Sequence, residues 1–422
     1  MTGPNRTTVA FSVTSVLNME FDVIIIGASS SGLHAAQRLA SAGKKVAVFD
    51  RQRELKPARR TLIVTPEIGK LLGELPADVL LHRTGTMVLT SPRCTTSVEL
   101  RDPDWIVERS ALTRWLFARA QKEGANIFLG YRFQSFEEAG RGACNASTVG
   151  IHFQNSGHAK IAWAREAIIA ADGINSDVAQ AAGIPGPTSV PIVQAEVGLP
   201  PNWDPNVTQV WFDVEDTRFF YWLIPESADR GVLGLVGDEG TQTQQLMKAF
   251  LNRNQLEAHA YQGAKVALHH PRLKPWGKVG GIPLLMVGDA AGQVKITTVG
   301  GLVTGLHAAE AATRSIVNAT PYKAELRFLK RELDLHWIIR SMLDGLDKRG
   351  YNLLVGTLSR RLRHFLSRRN RDSMFPVFWQ LPFVEPRLLN VAFQCVRGKL
   401  VSSQVRPKRT PPGLNEITNQ ES

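Results

Sequence analysis

Cysteine is scarce in this chain: Cys94, Cys144 and Cys395 are the three among 422 residues. They form no C-x-x-C pair and no metal-ligand spacing, which excludes a disulfide scaffold or zinc module and suits a reducing, cytoplasmic setting. His307, His336 and His364 also lack ligand spacing to one another, so no metal is expected. No apolar run reaches the length of about 18 residues that a spanning helix needs. Residues 1–20 lack the basic start and long apolar core of a secretory signal. They read as a disordered extension, with Met19 a second candidate start. Internal repeats and low-complexity blocks are missing too. Acidic residues run short at the end of the chain: residues 321–422 hold 19 Lys/Arg against 9 Asp/Glu, and residues 1–320 hold 31 against 29. The net charge of +12 is therefore a property of the C-terminal stretch. Such a stretch can meet anionic lipid, nucleic acid or an acidic protein.

What is present is ordinary for a folded protein of two or three domains, with 43% hydrophobic and 21% charged residues. The organising stretch is Phe21 to Asp50. Val23-Ile24-Ile25-Ile26 has the composition of a strand buried on both faces. Gly27-Ala28-Ser29-Ser30-Ser31-Gly32 then turns the chain into a helix expected over Leu33 to about Ala42. Val46-Ala47-Val48-Phe49 is a second buried strand, ending in Asp50. This is a βαβ unit with the frame of a dinucleotide site. Small residues let backbone N–H groups approach a pyrophosphate, and the helix N-terminus stabilises its charge. Asp50 is placed to accept from a ribose hydroxyl. Ser29 replaces the middle glycine of G-x-G-x-x-G, which predicts a tighter fit.

Further along, Pro57-Ala58-Arg59-Arg60-Thr61 reads as a loop beside the cofactor, Glu67–Leu75 as a helix, and Thr86–Leu100 as strands. Ser110 is the expected cap of a helix carrying Leu112, Leu116 and Ala120 on one face. A strand at Asn126–Gly130, a hairpin through His152 and a strand at Ala167–Ala171 follow. Asp177–Ala182 is a short helix. Gly183–Pro205, rich in Gly and Pro, marks a domain boundary, and Val207–Val236 reads as antiparallel strands. Gln242–Asn254 is helical, Leu284–Asp289 is a strand with a glycine turn, and Leu302–Asn318 is a long helix. Leu358, Leu362, Phe365 and Leu366 share one helical face, with Arg360, Arg361, Arg363, Arg368, Arg369 and Arg371 around the rest. This is either an interfacial membrane helix over residues 355–372 or a basic helix packed on its own protein.

Three motifs in order resemble the FAD-dependent flavoproteins shared by geranylgeranyl reductases and aromatic hydroxylases: the βαβ unit, Ala171-Asp172-Gly173-Ile174-Asn175-Ser176, and Gly288-Asp289-Ala290-Ala291-Gly292. The continuation Gln293-Val294-Lys295-Ile296-Thr297-Thr298-Val299-Gly300-Gly301-Leu302 resembles the geranylgeranyl reductase group, with Val299 interrupting its glycine triplet. Phe220-x-Trp222-x-Ile224-Pro225 is similar to that group's isoprenoid-pocket stretch and also to a flavin-halogenase motif. The resemblance implies an α/β fold with a Rossmann-type FAD-binding domain (21–185 and 276–320), an antiparallel-sheet substrate domain (186–275), and a basic helical C-terminal region (321–422). It implies FAD contacts at Gly27, Ser29, Ser31, Gly32, Asp50, Arg51, Arg60, Thr61, Arg109, Phe133, Asp172, Gly173, Asp289, Gly300, Gly301 and Leu302. Phe220, Trp222 and Pro225 are expected to line the substrate pocket. The cysteine that many prenyl reductases carry near Arg60–Ile63 is missing, so no role is transferred to it.

The expected function is FAD-dependent reduction of carbon–carbon double bonds in prenyl chains of lipids or quinones. The electron donor would be NAD(P)H or a reduced ferredoxin-like protein, and no side chain is identified as proton donor. The expected partners are a hydrophobic isoprenoid substrate and an anionic membrane surface touched by the basic C-terminal region; nucleic acid is not expected. The alternatives are a flavin monooxygenase or halogenase, for which Lys70 is the one candidate lysine by position, and a non-catalytic prenyl-binding protein.

Overall fold

The apolar run at the head of the chain becomes β1 (Met19–Ile26), followed by α1 (Ser30–Ser41) and β2 (Val46–Asp50). Val23 through Ile26 are buried, as a strand covered on both faces must be. The helix starts three residues before the expected Leu33 because Ser29 caps it, its hydroxyl accepting from the Gly32 N–H at 3.2 Å. The computed structural model describes residues 19–55, 60–138, 148–238 and 242–405, with side chains through 397. The extension before Met19, Pro57–Arg59 of the expected loop, and Cys144 lie outside the described residues.

The chain continues through β3 (Thr61–Val64), α2 (Glu67–Leu72), β4 (Leu80–Ser91), β5 (Cys94–Glu108), α3 (Arg109–Lys122), β6 (Asn126–Leu129), β7 (Arg132–Glu138), β8 (Val149–Asn155), β9 (His158–Ala170) and α4 (Asp177–Ala181). Next come β10 (Thr188–Gly198), β11 (Val207–Trp211), β12 (Tyr221–Pro225), β13 (Arg230–Val236), α5 (Thr243–Arg253), β14 (Ala258–Leu268), β15 (Trp276–Val279) and β16 (Ile282–Met286). Helices follow: α6 (Leu302–Val317), α7 (Tyr322–Glu325), α8 (Arg327–Leu343), α9 (Lys348–Gly356), α10 (Arg360–Ser367), α11 (Phe375–Phe378), α12 (Leu381–Val384) and α13 (Leu388–Val405).

These strands make two sheets of eight. The first runs β15-β16-β9-β1-β2-β6, with β16, β9, β1, β2 and β6 in parallel register. One face packs on α1, α3 and α6 through Leu33, Leu39, Leu112, Leu116 and Leu306. The other packs Ile24, Phe49 and Ile168 against Phe133, Phe153 and Val178 from β7, β8 and α4.

The second sheet runs β14-β10-β13-β12-β11-β4-β5-β3, antiparallel except for β11 against β4. Three sequence expectations change here. The stretch Gly183–Pro205 is more than a boundary, since β10 occupies its middle, and Pro191 is accommodated because pairing with β13 begins at Ile192. Residues 61–108, assigned in sequence to the first unit, contribute β3, β4 and β5 to the second sheet. The cap of α3 is Glu108 and not Ser110: its carboxylate accepts from the Ser110 and Ala111 N–H groups, the two donors that a serine cap at this position would serve.

The basic helix is packed in part on its own protein. Residues 355–372 are split between α9 and α10, and Leu362 of α10 is buried while Arg363 donates to the Ser97 carbonyl of β5. Of its apolar face, Leu362 is buried, while Leu358, Phe365 and Leu366 remain partly accessible. Large exposed apolar side chains lie instead just beyond it, at Trp379, Phe383, Leu389, Phe393 and Val396.

Candidate functional site

The turn after β1 is built for close backbone approach. Gly27 has φ +107°, and a Cβ there would stand 2.3 Å from the Ala171 carbonyl oxygen, so only glycine fits. Asp50 locks the turn from the neighbouring strand, accepting from the Ala28 N–H at 2.7 Å and the Gln52 N–H at 2.8 Å. Ser31 is buried with its hydroxyl against Gly288 and Gly305, in the seam between α1 and α6. A recess opens at this point, lined by Gly27, Asp50, Arg51, Phe133 and Asp172 among others. Asp172 holds the Val178 N–H through Oδ2 (3.2 Å), its Oδ1 is buried without a partner, and burial pushes its carboxyl above the usual range. Gly173, at φ +90°, faces open space beside it.

Arg60, Arg109 and Asp289 form the second part. The Arg109 N–H donates to the Arg60 carbonyl at 2.9 Å, and Glu108 Oε1 accepts from the Arg60 N–H at 3.3 Å. The Arg60 side chain is depressed in basicity by burial and then by Arg109, with Asp289 opposing, and its buried Nε has no partner. Asp289 is accessible to water yet lies deep beneath the surface, as a side chain at the floor of a cleft does. Burial raises its carboxyl, while Arg109 and then Arg60 pull it down. Two guanidiniums beside one carboxylate leave a positive charge that an anionic phosphate would offset. Thr61 is already engaged: its hydroxyl donates to Glu226 and its carbonyl accepts from Gln194.

Around the Gly288–Ala291 turn, sequence reasoning passed over the brace. Gln293 is buried, and its Oε1 accepts from the Gly288 N–H at 2.7 Å. The Tyr322 hydroxyl donates to the Met286 carbonyl at 2.9 Å, and burial raises that phenol well above its ordinary range. The loop then reaches Val299 at φ +56°, where the resembling family has glycine, before Gly300, Gly301 and Leu302 open α6. Val299 packs against the apolar cluster that contains Phe220, Trp222 and Ile224.

That cluster is one face of the second sheet. Phe220, Trp222 and Ile224 point to it, whereas Tyr221 and Leu223 turn to the opposite face, packed with Met247, Phe250 and Leu251 of α5. The Trp222 indole lies across Gly234, where a Cβ would stand 1.9 Å from the ring. Pro225 ends the strand, buried opposite Gly231.

The C-terminal helices reach this region with polar side chains that no periodicity could reveal. Asp372 pairs with Lys295 and accepts from the Thr65 hydroxyl, and Arg371 pairs with the buried Asp104. His336 of α8 comes against Thr297, with Glu332 behind it. Lys70, by contrast, has a side chain 72% exposed and pairs with Glu67 at 2.7 Å on the surface of α2. A separate apolar recess lined by Leu273, Trp276, Leu329 and Leu333 lies behind the Gly288–Gly292 turn, touching Ala291 and the adjoining Gln293, and contains none of the expected FAD or substrate contacts.

The donors and acceptors therefore fit FAD: a glycine turn with a ribose-reaching carboxylate, a partnerless guanidinium nitrogen, and a buried carboxylate oxygen. Comparisons agree. The profile of the FAD binding domain family matches residues 20–317. Digeranylgeranylglycerophospholipid reductase 1 of Methanopyrus kandleri is 27% identical over 341 residues, covering 75% of this chain and 86% of that protein. The crystal structure of a geranylgeranyl bacteriochlorophyll reductase-like protein from Thermoplasma acidophilum superposes with TM-score 0.74 at 17% identity, covering 88% and 99% of the two chains. A flavin-dependent brominase has the same fold, with TM-score 0.65 at 14% identity and coverage of 86% and 98%.

Proposed function

Because the chain belongs to the FAD binding domain family, we propose that it is an FAD-dependent oxidoreductase reducing carbon–carbon double bonds of prenyl chains, geranylgeranyl chains of lipids or quinones among them. The observation that carries this reading is the aromatic and aliphatic wall of Phe220, Trp222 and Ile224 meeting the cofactor loop at Val299. A largely apolar wall of this kind suits a hydrocarbon chain. The similarity to the digeranylgeranylglycerophospholipid reductase supports it.

In this reading the turn from Gly27 through Gly32 and the Arg60–Arg109 pair hold the pyrophosphate. Asp50 takes a ribose and Phe133 borders its recess. Asp289 accepts from the cofactor's hydroxyls, and Gly300 and Gly301 direct N–H groups at the flavin from the N-terminus of α6. Bound FAD supplies two-electron chemistry; the protein orients the alkene and keeps water from it. The halogenase alternative requires a lysine at the reaction centre, and Lys70 stands on the surface. Contact with an anionic membrane belongs to the same proposal, with Trp379, Phe383 and Phe393 on α11–α13 as the touching residues.

The test is direct. Dithionite-reduced protein under anaerobic conditions should convert geranylgeranyl lipids to products heavier by one pair of hydrogens per reduced bond, whatever the natural electron donor. Trp222→Ala should keep FAD and lose roughly 100-fold in rate, the cost of misplacing a reacting group by about 1 Å. Prenyl chains left unchanged by the reduced wild type, with oxidation of an aromatic compound in air, would replace this reading with a monooxygenase.

A further inference from the structure

Thr297 sits three residues before Gly300 in the loop expected to face the flavin, and its side chain is partly accessible. Its Oγ1 lies 2.5 Å from Nδ1 of His336. The imidazole is buried, at 6% exposure. Its Nε2 has no hydrogen-bond partner and faces Glu332 Oε1 at 3.4 Å, within ion-pairing range. Glu332 is also buried and is anchored by the Met374 and Phe375 N–H groups at 2.6 and 2.9 Å. Burial works against its ionised form, but His336 and the two N–H groups outweigh that and hold the carboxyl below the usual range.

A hydroxyl bonded to an imidazole that faces an anchored carboxylate can relay a proton. A bond that merely fastened the loop to α8 would need no charged third member. Here the order is informative: the hydroxyl alone is accessible, and the groups behind it are buried, with the last one ionised. Val299, two residues on, already packs among Phe220 and Trp222. The hydroxyl therefore stands close in the chain to the wall that would hold the alkene.

We propose that Thr297 and His336 deliver the proton of the alkene reduction, with Glu332 as the positioning residue; this rests on the prenyl reduction proposed above. The alkene receives a hydride, with its two electrons, from reduced FAD at one carbon and the Thr297 hydroxyl proton at the other. Thr297 regains a proton from His336 Nδ1–H as the ring passes from doubly to singly protonated. The carbon–carbon π bond is broken and two C–H bonds are formed, the two electrons being those that bound reduced FAD would supply. Glu332 offsets the charge of the doubly protonated ring, whose next proton comes from water by way of the accessible Thr297 hydroxyl. The segments around the ring bring Glu332 and Arg340 on α8, Lys295 on the cofactor loop and Asp372 ahead of α11, the last two paired.

Thr297→Val should keep FAD occupancy and prenyl-lipid Kd, with the thermal midpoint lowered only as one lost hydrogen bond lowers it, while the reduction rate falls by about 10²–10⁴-fold, the range of a lost general acid. Thr297→Ser should recover most of the rate. Independently of turnover, imidazole NMR of the FAD-free protein should show the His336 ring shifted by Thr297→Val. In wild type, the midpoint of that ring's titration should coincide with the pH at which reduction slows. A Thr297→Val rate equal to wild type overturns the proposal, as does a ring titration that departs from the pH–rate profile. If wild-type protein reduces no prenyl chain, the substrate reading fails and the donor role falls with it, while the NMR shift still reports the hydrogen bond.

Discussion

Val299 holds a branched side chain at φ +56°, where such residues are strained by roughly 1–3 kcal/mol. Glycine would relieve the strain but costs about 0.5–1 kcal/mol in chain entropy, and it forfeits on the order of 1 kcal/mol of contact with the Phe220–Trp222 cluster. Alanine forfeits nearly the same contact and keeps the strain. Val299→Gly should therefore fall within about 1 kcal/mol of wild type, and Val299→Ala below it, reversing the usual preference. Urea unfolding measures this, and alanine more stable than glycine would show that the loop relaxes. The sequence marked Val299 as the break in a glycine triplet; what it could not show is that the residue keeps the glycine's backbone conformation. Lys70 is the converse case, chosen by position alone and found paired with Glu67 on an exposed helix face.

Among the elements, β1, α1 and β2 were legible because their signals are local: an apolar run, small turn residues and a terminal acid within thirty positions. The face of β12 was legible for the same reason, since Phe220, Trp222 and Ile224 alternate with Tyr221 and Leu223. The pairing of β3, β4 and β5 into the second sheet was not, because it depends on partners more than a hundred residues away, such as Met87 beside Thr208. The cap of α3 escaped for a smaller reason, since serine is the commoner cap and Glu108 was two positions upstream. Glu108→Ala should cost about 1–2 kcal/mol, as loss of a cap does. Burial opposes the carboxylate, but the Ser110 hydroxyl and the Ser110, Ala111 and Arg60 N–H groups outweigh it, so the folded carboxyl lies below its ordinary value of 4.5. The stabilisation is therefore complete above that ordinary range and disappears as pH falls through the lowered value. Chemical denaturation at neutral pH and near pH 2 should show the wild-type advantage shrink; an equal gap at both would remove the carboxylate from the cap.

For the whole molecule, charge and apolar surface have separate addresses, and this decides how it would meet a membrane. No helix among the described residues is long and apolar enough to cross one. The arginines around α10 are partly spent on the protein itself, Arg363 on Ser97 and Arg371 on Asp104. Beyond them, Trp379 and Phe383 are 64% and 81% exposed, more than single surface aromatics need to be. Burying one such ring in lipid is worth about 1.5–3 kcal/mol, whereas exposed charge attraction fades as the screening length falls from about 10 Å at 0.1 M salt to 3 Å at 1 M. Docking by both should then bind anionic vesicles best at low salt and keep a salt-resistant remainder carried by the rings. Trp379→Ser with Phe383→Ser should abolish the remainder, and Arg363→Ala should change binding little while lowering thermal stability. Vesicle sedimentation across a salt series distinguishes the terms. A remainder untouched by the double substitution would move the contact away from α11 and α12, and binding that vanishes entirely with salt would leave the basic stretch as the sole attachment.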